Sequence, residues 1–265
     1  MKVTERNNVR IAGKPDAAQT ILFAHGFGTD QTAWHDVAQA FAGDYRLVLF
    51  DIVGANEHTV RYFDARKYNR LPVFAEDILD IMDELQLRDV IFFGHSVGGM
   101  TGTLAAIEEP DWFSRLVLLN ASPRYMNDTD YTGGFDKDTL ESIFEQMGSN
   151  YHAWASGFAP VAMQNPGRPH LALSFARTLS AMRPDVALAT ARVIFYSDHR
   201  TDIERLMQPT LLIQGKYDLV VPPQATHYLH NHIPDARLDF IDSEGHFPHI
   251  SDAEDVISSI RSFLN

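Results

Sequence analysis

Three residues far apart in the chain, Ser96, Asp218 and His246, carry side chains that together could run nucleophilic catalysis. A serine hydroxyl is a weak nucleophile until a base takes its proton, and that base needs an acid to hold it in the right tautomer. Ser96 lies in Gly94-His-Ser-Val-Gly98, between the apolar run 90–93 and a small-residue segment of helical period. A sharp strand-to-helix turn strains the backbone of its central residue, and glycines two before and two after remove the clashes that side chains would make. The turn lifts the hydroxyl above a sheet edge at the N-terminus of the next helix. Backbone N–H groups and partial positive charge there suit a developing oxyanion. The plainer reading is a glycine-rich turn whose serine only caps the helix; the flanking strand and helix patterns favour the nucleophile.

Asp218 closes Gly215-Lys-Tyr-Asp after the apolar run 210–214, and His246 closes Asp242-Ser-Glu-Gly-His after 237–241. On a parallel sheet both emerge at the edge that carries Ser96, in the chain order serine, acid, histidine. Three rivals stand nearby. His249 could be the base, but Gly245-His246 better fits a strand-end loop. Asp239 falls inside a strand pattern, and Asp242 would have to reach back from the histidine's own loop. The pair Asp218–His246 therefore ranks first. The loop after 20–24, His25-Gly-Phe-Gly28, offers the amide of Phe27 as a second oxyanion donor beside that of Val97. His25 and His95 themselves read as loop or packing supports, since neither has a carboxylate or metal partner at a suitable spacing.

The elements that would position these groups are short branched or aromatic runs alternating with longer helical periods. Strands are expected at 20–24, 46–50, 90–93, 115–119, 210–214 and 237–241, each almost continuously apolar, as in parallel strands buried on both faces. Helices are expected at 34–41, 73–85, 99–108 and 252–264, the last opened by Ser251 and Glu254 at capping-box spacing. This alternation predicts an α/β fold with a mostly parallel, doubly wound sheet. The stretch 123–198 breaks the rhythm with four helical segments, 137–147, 151–162, 170–182 and 184–195, punctuated by Gly148, Pro166, Pro169 and Pro184. It reads as a helical lid inserted between sheet strands, with 1–122 and 199–265 forming the core.

Composition narrows the function classes. The 265 residues are 45% hydrophobic and 11% aromatic, ample for a packed core. A formal net charge of −13 repels phosphate backbones and speaks against nucleic-acid binding. With no cysteine, disulfides, thiolate catalysis and cysteine-zinc sites are excluded. His230 and His232 are two apart and diverge on a helix, and no phosphate loop or Gly-x-Gly-x-x-Gly opens the first strand-helix turn. No metal and no cofactor are expected. The first ten residues lack an apolar signal core and no run is long enough to span a bilayer, so the expectation is a cytoplasmic protein without membrane contact.

Several segments are more specific than the serine turn. His25-Gly-Phe-Gly-Thr-Asp-Gln31 with Trp34, Ala121-Ser-Pro-Arg-Tyr125, Gly133-Gly-Phe135, Gly157-Phe-Ala-Pro160, Met182-Arg-Pro-Asp185 and Ser197-Asp-His-Arg200 resemble one narrow group of α/β-hydrolases. That group holds the bacterial stress regulator RsbQ and the plant karrikin and strigolactone receptors, and the lid segments are most similar to the karrikin-receptor branch. The chain departs from it at Pro72-Val73, where the group usually has Gly-Tyr. The resemblance implies an α/β-hydrolase fold with a V-shaped four-helix lid over a deep apolar pocket. Its pocket positions match Phe27, His95, Tyr125, Phe135, Ile143, Trp154, Phe158, Phe175, Phe195 and Leu219. It also implies a serine hydrolase cleaving small apolar esters or butenolide-type lactones. The alternative is a ligand-sensing regulator whose slow hydrolysis accompanies signalling to a protein partner, a PAS-domain protein if the chain is bacterial. A lyase would need a basic lid residue at the leaving group, and a dehalogenase would need Asp where Ser96 stands.

Overall fold

The apolar runs assemble into one seven-stranded sheet in a computed structural model that describes residues 2–265. In chain order the elements are α1 (Val3–Arg6), β1 (Arg10–Gly13), β2 (Thr20–Ala24), α2 (His35–Phe41), β3 (Arg46–Phe50), α3 (Leu71–Glu84), β4 (Val90–His95), α4 (Val97–Glu108) and β5 (Phe113–Leu119). Four helices follow, α5 (Lys137–Ser149), α6 (Tyr151–Met163), α7 (Pro169–Ala181) and α8 (Pro184–Tyr196). The chain then closes with β6 (Thr210–Tyr217), α9 (Pro223–His232), β7 (Ala236–Glu244), α10 (Pro248–Ser251) and α11 (Ala253–Leu264). The strand order is β1-β3-β2-β4-β5-β6-β7. Every neighbouring pair is parallel except β1 and β3.

Alternation along each strand divides the core between the two faces of the sheet. Ile21, Phe23, Ile91, Phe93, Val117, Leu119, Leu211 and Ile213 face α2 and α11, packing with Trp34, Val37, Phe41, Val256 and Ile260. Leu22, Phe92, Leu116, Leu118 and Leu212 face the other way, into a larger core that continues through α3 and α4 to the inserted helices. On the first face Phe93 meets Phe23 and Phe41 edge-on, with ring centroids 5.1 and 5.7 Å apart, the arrangement that aromatic quadrupoles favour. The indole of Trp34 donates to the carbonyl of Ala24 at 3.1 Å, pinning the end of β2 from which the Phe27 loop departs.

The expected strands 20–24 and 46–50 coincide with β2 and β3, and the other four lengthen at one or both ends. Strand β1 is not anticipated by the apolar pattern because all four of its residues are exposed at an antiparallel edge. Helix α9 is also unanticipated, since only Ala225, Thr226 and Leu229 of its ten residues are buried. The expected helix 34–41 opens with a 3-10 turn, Gln31–Trp34, before α2 begins at His35. Helix α3 starts earlier than 73, with Pro72 seated in its first turn, where a missing N–H costs nothing. The expected capping box is corrected. Asp252 is the N-cap of α11, with no side-chain cap bond, while Ser251 ends α10 and its hydroxyl donates to the Asp252 carboxylate at 2.8 Å.

Helices α5 to α8 all fall between β5 and β6, with α6 packed on α7 and α5 on α8. Their starts follow local rules: Asn150 accepts from the Ala153 amide at 3.1 Å to cap α6, and proline opens α7 and α8. Among the described residues no helix is long and apolar enough to cross a membrane.

Candidate active site

Strand β4 runs directly into α4 through Ser96, whose φ of +54° and ψ of −125° lie in a region that side chains rarely occupy. The neighbouring glycines explain how the turn is tolerated. A Cβ on Gly94 would sit 2.5 Å from the Gly99 Cα, and one on Gly98 would sit 2.4 Å from the His25 carbonyl oxygen. The strained turn and the crossing of α4 over the strand ends therefore need both positions bare.

The structure brings Ser96, His246 and Asp218 into one chain of hydrogen bonds. Ser96 Oγ lies 2.9 Å from His246 Nε2, and His246 Nδ1 lies 2.7 Å from Asp218 Oδ2. All three residues are buried. The carboxylate is held from every side: Asn120 Nδ2 donates to Oδ2 at 2.7 Å, and the amides of Val220 and Val221 donate to Oδ1 at 2.7 and 3.1 Å. These donors fix the carboxylate so that Oδ2 accepts from His246 Nδ1–H and leaves Nε2 as the acceptor facing Ser96. The His246 amide donates to the Ala162 carbonyl at 2.8 Å, so the end of α6 fixes the histidine loop.

None of the three rivals joins this chain. Asp239 pairs with Arg237 at 2.9 Å and accepts from Ser259 of α11 at 2.6 Å, while Asp242 pairs with Lys216 at 3.2 Å. His249 is fully buried, with neither ring nitrogen hydrogen-bonded within the described residues. Burial first, then the His246 and His25 rings, pushes it down to about 3, so it is neutral. His95 packs its ring 4.8 Å from that of His246 and donates from Nε2 to the His246 carbonyl at 2.7 Å. Burial, with His249 and His246 adding to it, holds His95 well below the ordinary imidazole range. His25 is likewise a loop support: Nδ1 donates to the Gly26 carbonyl at 2.8 Å, and Nε2 accepts the Ile52 amide at 2.9 Å.

The amides of Phe27 and Val97 have no protein acceptor within the described residues, and both residues wall the same small apolar cavity. That cavity is narrow, with an enclosed volume of about 20 Å³. It is walled by the loops after β2 and β3, the start of α4, Leu71 and Phe74 of α3, and Ile194 of α8.

The ten matched pocket positions do not share one such wall. Phe27 lines the cavity just described. Tyr125 reaches over Ser96, its hydroxyl 3.2 Å from Oγ, and Phe195 braces it edge-on with Phe135 beyond. Burial holds the Tyr125 phenol well above its usual range, so it stays a donor to the serine oxygen. Trp154 and Phe158 stack 5.2 Å apart and, with Ile143, line an outer groove between α5 and α6. Phe175 packs on Phe247 at 4.4 Å, beside a second groove. His95 lies behind the histidine rather than beside Ser96, and Leu219 is 62% exposed, so the expectation that it lines a buried wall is corrected. Asn120, which no motif singled out, is the group that sequence reasoning missed; its signal is a lone amide directly after the buried strand 115–119.

A family model described as alpha/beta hydrolase fold matches residues 19–253. A probable esterase of Oryza sativa subsp. japonica is 44% identical over 96% of this chain and 94% of its own length. A karrikin insensitive 2 receptor (CA) of Petunia hybrida is 41% identical over the same shares, 96% and 94%. A strigolactone esterase of Arabidopsis thaliana is 39% identical over 99% and 97%. Among solved structures, a hydrolase from Oleispira antarctica superposes with a TM-score of 0.94 at 32% identity, covering 99% of this chain and 96% of that one. With a family match over most of its length and relatives at this identity, the chain belongs to the alpha/beta hydrolase family, among the karrikin- and strigolactone-related esterases and receptors.

Proposed function

We propose that the chain is a serine hydrolase of small apolar esters or butenolide-type lactones, with Ser96 as nucleophile, His246 as base and Asp218 as its orienting acid. The observation that carries this reading is the unbroken chain Ser96 Oγ–His246–Asp218 at 2.9 and 2.7 Å on a strained strand-to-helix turn. As Oγ attacks the carbonyl carbon, its proton passes to His246 Nε2, and Asp218 stabilises the resulting imidazolium while remaining ionised. The free amides of Phe27 and Val97 receive the oxyanion. His246 then returns the proton to the leaving alkoxide, and a water activated by the same histidine releases the acyl group from Ser96. Residues 123–198 act as a lid over a core formed by 1–122 and 199–265, with Tyr125 and the Ala162 carbonyl as its points of contact with the reacting groups. The lactone preference rests on similarity to relatives named strigolactone esterase, and the site's chemistry requires no cofactor.

A second reading, a ligand sensor acting through a protein partner such as a PAS-domain protein, is favoured by the similarity to a protein named as a receptor. One time course separates the two: hydrolysis of a synthetic butenolide by wild type and Ser96→Ala. Sustained, Ser96-dependent turnover establishes the hydrolase. A stoichiometric burst that stalls establishes the sensor, and no Ser96-dependent reaction with this or a simple ester refutes the triad reading.

A further inference from the structure

The cavity beside the two free amides is lined by one side chain whose polar atom has no partner within the described residues. Thr190 on α8 is 5% exposed, and its Oγ1 makes no hydrogen bond within the described residues. Three other helical threonines return their proton to the helix, Thr101 to the Gly98 carbonyl, Thr103 to Gly99 and Thr178 to Phe175, each at 3.0 Å, and the buried Thr226 of α9 donates to Gln214 at 2.6 Å. The other polar side chains on this wall are satisfied, Thr101 by that bond and His25 by Gly26 and Ile52. A buried hydroxyl left without a partner is costly, and costs least where a bound molecule supplies the missing bond.

We propose that Thr190 is a specificity-determining residue that donates a hydrogen bond to an oxygen in the acyl portion of the substrate. The inference rests on the hydrolase reading above. Phe27 and Val97 place the scissile carbonyl oxygen at the cavity's edge, and no residue of the His246 or Asp218 loops contributes to its wall. The leaving group must face His246 to be protonated, so the cavity lies on the acyl side. Thr190 is the one polar side chain of its wall not already hydrogen-bonded within the described residues, and its free space is small, so it takes a short chain. The substrate class is therefore a small ester or lactone whose acyl portion carries an ether or carbonyl oxygen beyond the reacting carbonyl. Such an oxygen accepts without adding a donor that the apolar wall would leave unsatisfied.

The test is a pair of matched comparisons on wild type, Thr190→Val and Thr190→Ser. Val keeps the branched shape and removes the hydroxyl, while Ser keeps the hydroxyl. The substrates are p-nitrophenyl methoxyacetate against butanoate, and 3-methoxypropanoate against pentanoate, each pair exchanging one oxygen for a methylene. The readout is the ratio of kcat/KM for the oxygen ester over its carbon counterpart, which cancels the intrinsic reactivity of each ester when variants are compared. Thr190→Val lowers that ratio about 3- to 10-fold for at least one pair, the size expected of one neutral hydrogen bond. It leaves the carbon esters within about twofold, and Thr190→Ser restores the ratio. A ratio unmoved in Thr190→Val for both pairs, with Ser96-dependent turnover intact, overturns the proposal and leaves the hydrolase reading standing. Absence of Ser96-dependent turnover in wild type sinks the hydrolase reading instead. The Thr190 contact is then decided by melting-temperature shifts with the corresponding methyl ketones, where a shift specific to the oxygen-bearing ketone and lost in Thr190→Val supports it and equal shifts refute it.

Discussion

Replacing Asp218 by Asn changes one atom and reverses the direction of the hydrogen bonds around His246. Asp218 Oδ1 accepts the amides of Val220 and Val221, so an Asn at this position keeps its carbonyl oxygen there. Its NH2 then takes the place of Oδ2, facing His246 Nδ1 and the Asn120 NH2 that now donate to that oxygen at 2.7 Å each. A donor opposite Nδ1 makes the imidazole carry its proton on Nε2, so Nε2 donates to Ser96 Oγ instead of accepting from it. Loss of the right tautomer and of the charge that stabilises the imidazolium costs about 10⁴-fold in kcat by analogy with other serine triads, or about 5.5 kcal/mol of barrier. The substrate does not touch Asp218, so KM changes little. Asn120 loses its acceptor, a cost of about 1–2 kcal/mol to the fold, so the melting temperature drops by a few degrees and the protein remains folded. Initial rates with a p-nitrophenyl ester give kcat and KM, with intact mass used to exclude deamidation back to Asp. A kcat within tenfold of wild type would refute the reasoning that Asp218 orients the base.

Two further outcomes follow from the same neighbourhood. His249, at about 3, titrates below the roughly 6.5 of an unfolded histidine. The unfolded chain therefore binds the proton first as pH falls, and stability that is complete above about 6.5 is lost progressively toward 3, by about 1.4 kcal/mol per unit. His249→Leu removes this term, flattening the acid side of a stability-versus-pH curve and making the variant about 2 kcal/mol more stable than wild type at pH 5 relative to their difference at pH 7; parallel curves for the two proteins would contradict it. Gly245 has a φ of +87°, and a Cβ there would stand 2.1 Å from the Met163 carbonyl oxygen. Gly245→Ala therefore pushes the His246 loop away from the end of α6, with a cost of at least about 1–2 kcal/mol from the backbone conformation. The melting temperature falls by roughly 5 °C and ester turnover falls with it, whereas unchanged values of both would show that the α6–loop contact does not position the histidine.

The fold was legible where burial is two-sided. Strands such as Ile21–Phe23 or Phe92–Phe93 must fill both faces of the sheet, and a continuous apolar run announces that requirement. β1 is exposed along its whole length and α9 buries few residues, so nothing in their patterns separates them from loops. The serine turn, Asp218 and His246 were legible because each directly follows a strand whose end must lie at one edge of the sheet. Asn120 was not, because an amide after a buried strand has many plainer explanations and its partner lies 98 residues away. Aromatic residues at lid positions cannot reveal from sequence which cavity they face. Tyr125, Trp154, Phe158 and Phe175 depend on how four helices pack, and here they divide between the serine and two outer grooves. The cap of α11 shows a similar limit: Ser251 and Asp252 both have capping chemistry, and contact with Ser243 and Arg168 engages the Asp252 carboxylate.

The central claim is that Ser96 is a nucleophile activated by His246. The most direct measurement is peptide mass mapping after reaction with an organophosphorus serine-hydrolase probe, comparing wild type with Ser96→Ala and His246→Ala. The account predicts a single stoichiometric adduct on the peptide containing Ser96, absent from Ser96→Ala and formed far more slowly in His246→Ala. An adduct on another residue, or one on Ser96 that forms at the wild-type rate without His246, would contradict it.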